Sequence, residues 1–367
     1  MAVLKWMGAL RDARVRRRVD TGLLTPPEFD RVAACERMRT DRNGSPLSIL
    51  LIALPPTGNQ ASDVQSLAEV LGQRLRMTDT AGRLRDGRIG VLLPDTVESG
   101  AWKVAADLCD VYEVGEARPS CEVLVYPDRD RGRGSGDGDA SQPSEPRPPI
   151  AVAGAGADFQ SADSFFVRSC PAWKRVADIV GASLGLVVAA PVIGAAAVAV
   201  AATSPGGAFF VQEREGHGGR RFKIFKLRTM RRGSDRIKHK LRARSEQDGP
   251  AFKMTDDPRV TRIGAFLRKT SIDELPQLLN VLRGEMSLVG PRPLQIDESL
   301  ACEPWQRQRL AVKPGLTCIW QVKGRSVVSF DEWARMDLRY AREADWKTDV
   351  KLILQTPPAL LLARGPR

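Results

Sequence analysis

From Ile179 to Thr203 the chain runs for 25 residues without a charged side chain, IVGASLGLVVAAPVIGAAAVAVAAT. A straight helix of that length rises about 37 Å, enough to cross the hydrocarbon core of a bilayer. A small soluble domain cannot hide such a helix, so the run points to membrane insertion. Pro191 stands at its middle, where it removes a backbone donor and bends the helix. Both flanks are basic, with Lys174 and Arg175 before the run and Arg214, Arg220 and Arg221 after it. The distribution of positive charge therefore favours neither direction of crossing. Neither flank carries an export signal. A segment whose two flanks share the cytosol must enter and leave by the same face. The expectation is a re-entrant membrane helix over 176–203, broken at Pro191.

The rest of the chain is long enough for two units at 367 residues. Its net charge of +12 calls for an anionic partner, whether nucleic acid, acidic lipid or a phosphorylated substrate. Six dispersed cysteines without a C-x-x-C pair, and only two histidines, argue against a Cys/His zinc site and for a reducing compartment. Lys5 interrupts the apolar start of MAVLKWMGALRDARVRRR, so this is not read as a signal peptide. Residues 1–24 form a basic segment, either a solvated helix or an amphipathic helix resting on anionic lipid.

Between residues 25 and 127 the pattern is compact. LSILLIAL (47–54) reads as a buried strand, and DVQSLAEVLGQRLR (63–76) as a helix through Val64, Leu67, Leu71 and Leu75. RLRDGRIGVLLP reads as a hairpin turning at Asp86-Gly87, followed by a helix in ESGAWKVAADLCDVY and a strand in CEVLVYP. This β-α-β-β-α-β order is ferredoxin-like. The run resembles a degenerate GGDEF-type (diguanylate cyclase) domain. The family's signature loop is LRDGRIG here, and Ala53 stands where its first strand ends in a metal-binding acid. Without those carboxylates the two metals of nucleotide cyclisation have no ligands. The resemblance thus implies a non-catalytic sensor, scaffold or dimerisation unit. It places Arg76 and Asp79 on the family's R-x-x-D site for a cyclic dinucleotide, although Arg76 also reads as a solvated helix-end residue. Residues 128–160, rich in Gly, Pro, Ser and alternating charge, form a flexible linker.

The second unit, 161–367, contains TSIDELPQLLNVLRGEMSLVGPRP (270–293). Ser271 and Glu274 make the S-x-x-E pattern of a capping box. Pro276 argues otherwise. With Ser271 as N-cap it would fall inside the helix, whereas with Asp273 as N-cap its missing N–H costs nothing. The expected helix therefore starts at Glu274, with Leu275, Leu278, Leu279 and Leu282 as its apolar stripe and its positive end toward any phosphate. Arg259, Arg262, Arg268 and Lys269 precede the two acids, and Arg292 is pinned between two prolines after them. Two acids among fixed arginines suit a metal–diphosphate site.

Four ordered blocks, KRVADIVGASLGLVVAAP, FFVQEREGHGGRRFKIFKLRTM, DDPRVTRIGAFLRKTSIDELPQLLNVLRGEMSLVGPRP and RLAVKPGLTCIWQVKGRS, resemble the bacterial sugar transferases, monotopic polyprenyl-phosphate phosphoglycosyl transferases. The resemblance implies transfer of a sugar-1-phosphate from a UDP-sugar to undecaprenyl phosphate, with release of UMP, at the cytoplasmic face of the bacterial inner membrane. That step begins an exopolysaccharide, capsule or O-antigen-type glycan. It implies Asp273 as nucleophile, Mg²⁺ held at Asp273 and Glu274, and substrate binding by Lys226, Arg228, Arg268, Arg292, Pro293 and Arg325. Inner-membrane lipid is then a partner and a homodimer is admitted. Nucleic acid is not expected, because phosphates and headgroups account for the basic residues. Two departures stand out: Ala190 precedes Pro191 where the family has Ser, and Cys318 replaces the last Gly of PGxTG. A Cys there is unfavourable if the site needs positive φ. The expected fold is α+β: a ferredoxin-like, nucleotide-cyclase-like unit, a linker, then the re-entrant membrane helix and a helix-rich catalytic domain with a small β element.

Overall fold

The computed structural model describes residues 22–55, 60–112, 119–127, 162–323 and 328–361. The basic segment up to residue 21, the 128–160 linker and Arg325 lie outside them. The chain divides into two compact units, Met1–Ala162 and Asp163–Arg367.

In the first unit, α1 (Pro26–Asn43) precedes β1 (Leu47–Ala53), α2 (Gln60–Arg74), β2 (Thr80–Arg83), β3 (Ile89–Pro94), α3 (Glu98–Val111) and β4 (Ser120–Tyr126). The strands are ordered β2-β3-β1-β4 and all neighbours are antiparallel. With two helices between strands in β-α-β-β-α-β succession, this is the expected ferredoxin-like arrangement. Leu47 and Ile49 to Ile52 of β1 are all buried, because a central strand covered on both faces has no solvent side to alternate with. Gly87 supplies the positive φ of the β2–β3 turn at φ 89°. Arg76 is exposed, and its backbone N–H donates to Asp79 Oδ2 at 2.9 Å, closing the turn after α2.

The second unit opens with the long apolar helix α4 (Ala172–Thr203). The expected hairpin break at Pro191 is instead a proline inside one continuous helix. A lone Pro costs a hydrogen bond and kinks a helix without ending it when both arms remain helical. The helix is long and apolar enough to cross a membrane, and Leu184, Val187, Val188, Val192 and Val198 are exposed. Both sides of Pro191 nevertheless return to the same body. Ala182 and Leu186 pack with Ile224, Leu278, Val281 and Met286, while Ala196, Ala197 and Val200 pack with Leu227, Ile263, Leu267 and Ile272.

A polar face fastens the start of α4. Lys174 Nζ donates to Asp349 Oδ2 (2.5 Å) and to the Val289 carbonyl (3.1 Å), and Arg175 donates to the carbonyls of Val281 and Leu282 (2.7 Å each). Asp178 Oδ1 accepts from Ser287 Oγ and the Leu288 N–H, both at 2.9 Å. These bonds grip the strand that leads into Gly290–Pro293.

After α4 come the antiparallel pair β5 (Phe209–Glu215) and β6 (Arg221–Leu227), then α5 (Arg262–Thr270). A 3₁₀ turn (Ile272–Gln277) leads into α6 (Leu278–Arg283). The short strands β7 (Ser287–Val289) and β8 (Gly315–Thr317) pair in parallel, and α7 (Phe330–Glu343) and α8 (Trp346–Leu361) close the unit.

Candidate active site

The chain folds at the acids differently from the helix start at Glu274. Ser271 ends α5 in the left-handed region, φ 60°, and its side chain makes no capping bond. The dyad sits inside the 3₁₀ turn, where i→i+3 bonding accommodates Pro276 and leaves no capping box. Leu278 and Leu282 join the core as expected, but Leu279 is exposed and Val281 takes the buried place. The dyad therefore does not stand at the N-terminus of an α-helix.

Long-range contacts assemble it. Asn280, fully buried, donates from Nδ2 to the Lys223 carbonyl (2.7 Å) and accepts from the Phe225 N–H (3.1 Å), holding β6 against the turn. Lys226 thereby reaches the dyad. Gly264 lets α5 approach β6, since a Cβ there would lie 2.0 Å from the Thr229 carbonyl oxygen. Arg268 Nε then donates to Thr229 Oγ1 at 3.0 Å. Gly290 and Gly315 cross so closely that a Cβ on Gly315 would meet the Gly290 nitrogen at 2.0 Å, and this contact brings in Arg292.

The two carboxylates have different fates. Glu274 Oε2 accepts from Arg292 Nη1 at 3.1 Å, and Oε1 accepts from Lys226 Nζ at 2.9 Å and from Arg292 Nη2. Burial pushes Glu274 up, but Arg292 and Lys226 outweigh it and hold this carboxyl well below its usual range. Asp273 is buried, yet among the described residues no hydrogen bond or ion pair engages its carboxylate. Burial and the Glu274 charge push Asp273 up to about 6, against the pull of Lys226, Arg268 and Arg292. At neutral pH this leaves an ionised and unengaged carboxylate beside a fixed cation cluster. Burial lowers Lys226 and Arg268, while Arg292, despite its burial, is raised by Glu274.

One cavity of about 330 Å³ gathers Lys226, Arg228, Arg268, Asp273, Glu274, Arg292 and Pro293. Arg228 is turned partly away, donating to the carbonyls of Gly207 (2.9 Å) and Phe209 (3.2 Å). Arg259 lines the cavity with its charge bound to Asp257 at 2.7 Å, whereas Arg262 and Lys269 are exposed and do not line it.

Several contributors escaped sequence reasoning. Arg214 lines the cavity, donates to the Pro293 carbonyl at 3.2 Å, and is lowered to about 10 by burial. Arg309 Nη2 donates to the Arg292 carbonyl at 2.5 Å and lies 2.6 Å from Asp337 Oδ2. Trp320, Trp333 and Phe252 supply an aromatic lining. Only the β5 arginine carried a sequence signal, its place beside the glycine turn. Cys318 is not in the positive-φ region; it is buried and donates from Sγ to Gln321 Oε1 at 3.1 Å, so the replacement of Gly is unstrained.

Residues 170–363, more than half of the chain, match the family model for bacterial sugar transferases. A carboxylate dyad beside a long apolar helix, in a fold matched over that length, defines the class, and the chain belongs to this family. It is 43% identical over 195 residues to the galactosyl transferase CpsE of Streptococcus agalactiae, covering 53% of this chain and 43% of that one. It is 39% identical over 196 residues to the exopolysaccharide production protein ExoY of Sinorhizobium fredii, covering 52% and 87%. A UDP-glucose:undecaprenyl-phosphate glucose-1-phosphate transferase of Caulobacter vibrioides is 42% identical over 198 residues, covering 51% and 69%. The chain thus spans less than half of the first of these relatives. A diguanylate cyclase structure from Thermotoga maritima aligns over 29% of this chain and 85% of its own, at 15% identity and a TM-score of 0.28.

Proposed function

We propose that the chain is a membrane-associated phosphoglycosyl transferase that moves a sugar-1-phosphate from a UDP-sugar to undecaprenyl phosphate and releases UMP. The observation that carries this reading is the asymmetry of the dyad: Glu274 is saturated by Arg292 and Lys226, while Asp273 is buried and unengaged.

A carboxylate oxygen of Asp273 attacks the β-phosphorus of the UDP-sugar. An O–P bond forms as the bond from the β-phosphorus to the bridging oxygen breaks, and UMP leaves with that electron pair. The phosphate oxygen of undecaprenyl phosphate then attacks the same phosphorus and returns Asp273 as a carboxylate. Glu274 orients Arg292 and Lys226, and with Arg268 these cations stabilise charge on the diphosphate oxygens. Arg309 and Arg214 fix the backbone that carries Arg292 and Pro293.

The donor set also fits Mg²⁺, which takes one or two carboxylates plus substrate phosphate oxygens. The free oxygens of Asp273 would hold it, with Glu274 joining only where a cation releases an oxygen. Bound there, it would neutralise diphosphate charge.

Both arms of α4 pack on one body, which favours association through the exposed apolar face of the helix over a crossing. The proposed place of that body is the cytoplasmic side. The exposed apolar helix brings this body to the lipid-anchored acceptor. The reading includes a role in the first membrane step of exopolysaccharide, capsule or O-antigen-type assembly. It also includes a regulatory N-terminal unit, as a dimerisation element or with a cyclic dinucleotide at Arg76 and Asp79; titration without binding would remove that ligand.

The central test is UMP release by detergent-solubilised protein from a panel of UDP-sugars, with and without undecaprenyl phosphate and Mg²⁺. Protein phosphorylated on Asp273 by the sugar-phosphate, trapped without acceptor and found by mass spectrometry, is the expected intermediate. UMP release with no such adduct under single-turnover conditions would replace it with direct displacement.

A further inference from the structure

The lining of the cavity divides by chemistry. Asp273, Glu274, Lys226 and Arg292 serve the diphosphate, while Phe252, Trp320 and Trp333 have no part in the reaction as derived. Trp320 and Trp333 touch with ring centroids 4.4 Å apart and form one patch. Arg309, which holds the Arg292 carbonyl, also lies 5.5 Å from the centre of the Trp333 ring, so the patch and the diphosphate-binding loop are parts of one assembly.

We propose that this patch, centred on Trp320, holds the nucleobase of the nucleotide-sugar by stacking on its aromatic faces. The inference rests on the reading of the chain as a UDP-sugar enzyme. Every base offers a flat π-face to an aromatic side chain. A hexose fits less well, because its hydroxyls seek carboxylates and those of the lining outside the dyad are committed to the protein. Glu298 accepts from the Phe252 N–H at 3.2 Å and the Gln295 N–H at 3.3 Å, and Asp257 is bound by Arg259. The base stacked on Trp320 would anchor the leaving half of the donor and leave the hexose to other contacts.

The test is calorimetric titration of the detergent-solubilised full chain with UMP, ribose 5-phosphate and glucose 1-phosphate. The wild-type protein is expected to prefer UMP to ribose 5-phosphate, which lacks only the base. Trp320→Leu should weaken UMP between about fivefold and about a hundredfold, down to the level of ribose 5-phosphate. Glucose 1-phosphate should be unchanged, and Trp320→Phe should recover most of the loss. No UMP preference in the wild-type protein overturns the proposal without any variant. So does an unchanged preference in Trp320→Leu, or a loss on glucose 1-phosphate in place of UMP. Failure of the reaction is distinguishable: it would appear as no UMP release from any UDP-sugar while the Trp320-dependent UMP preference persists.

Discussion

The interior of the N-terminal unit is built from Leu50, Ile52, Leu67, Leu71, Ile89, Val91, Leu93 and Leu108, packed between a sheet and two helices. The interior of the C-terminal unit carries Lys174, Asp178, Glu215, Arg259, Asp273, Glu298, Arg309, Asp337 and Asp349, all buried. Apolar burial stabilises a fold without directional demands. Buried charge costs desolvation free energy and persists where partners or a function hold it. The first unit thus resembles a stable platform, while the second spends stability on a site that places one carboxylate without a partner among fixed cations.

The comparison can be broken at either end. Asp273→Asn should reduce UMP release on the order of a thousandfold or more, because it removes the oxygen proposed as the nucleophile. Turnover within tenfold of wild type would leave the asymmetry of the dyad without catalytic meaning. Arg309→Ala should destabilise the C-terminal unit by about 3–5 kcal/mol in denaturant unfolding, since it leaves Asp337 buried without its cation. An unchanged midpoint would show that buried charge is not what this unit depends on. Leu50→Ala should cost the N-terminal unit about 2–5 kcal/mol while UMP release at 25 °C stays at the wild-type level. A parallel fall in UMP release would couple the units. The smallest effect is titration. Asp273 acts as a carboxylate and its folded-state value is about 6, so UMP release should fall as pH drops through 6, about tenfold per unit below it. A rate flat from pH 7 to 5 would place the reacting group elsewhere.

Much of this was readable in the chain itself. Strand and helix periodicity located the four strands, α2 and α3 of the first unit, because each residue's face follows from local geometry, but not α1. The uncharged run around Pro191 declared α4, and the acids with the nearby Arg268 and Arg292 declared the site. Local rules failed at the junction of α5 and the dyad. There the chain turns through Ser271 in the left-handed region, and a 3₁₀ turn stands where a helix start was expected at Glu274. Pro191 misled in the same way, since the packing of both arms on one body accommodates a proline that local preference reads as a break.

What the sequence by itself determined was the inventory: an apolar helix, a sheet unit, two adjacent carboxylates and an excess of cations. Which carboxylate is free was decided only by tertiary structure. Lys226 is 48 residues from Glu274 and Arg292 is 18, yet both close on the Glu274 carboxylate and leave Asp273 alone. Arg309 and Trp320, ordinary in their sequence surroundings, join the site through folding in the same way. Coulombic and hydrogen-bonding energies depend on separation in space, which chain order does not set.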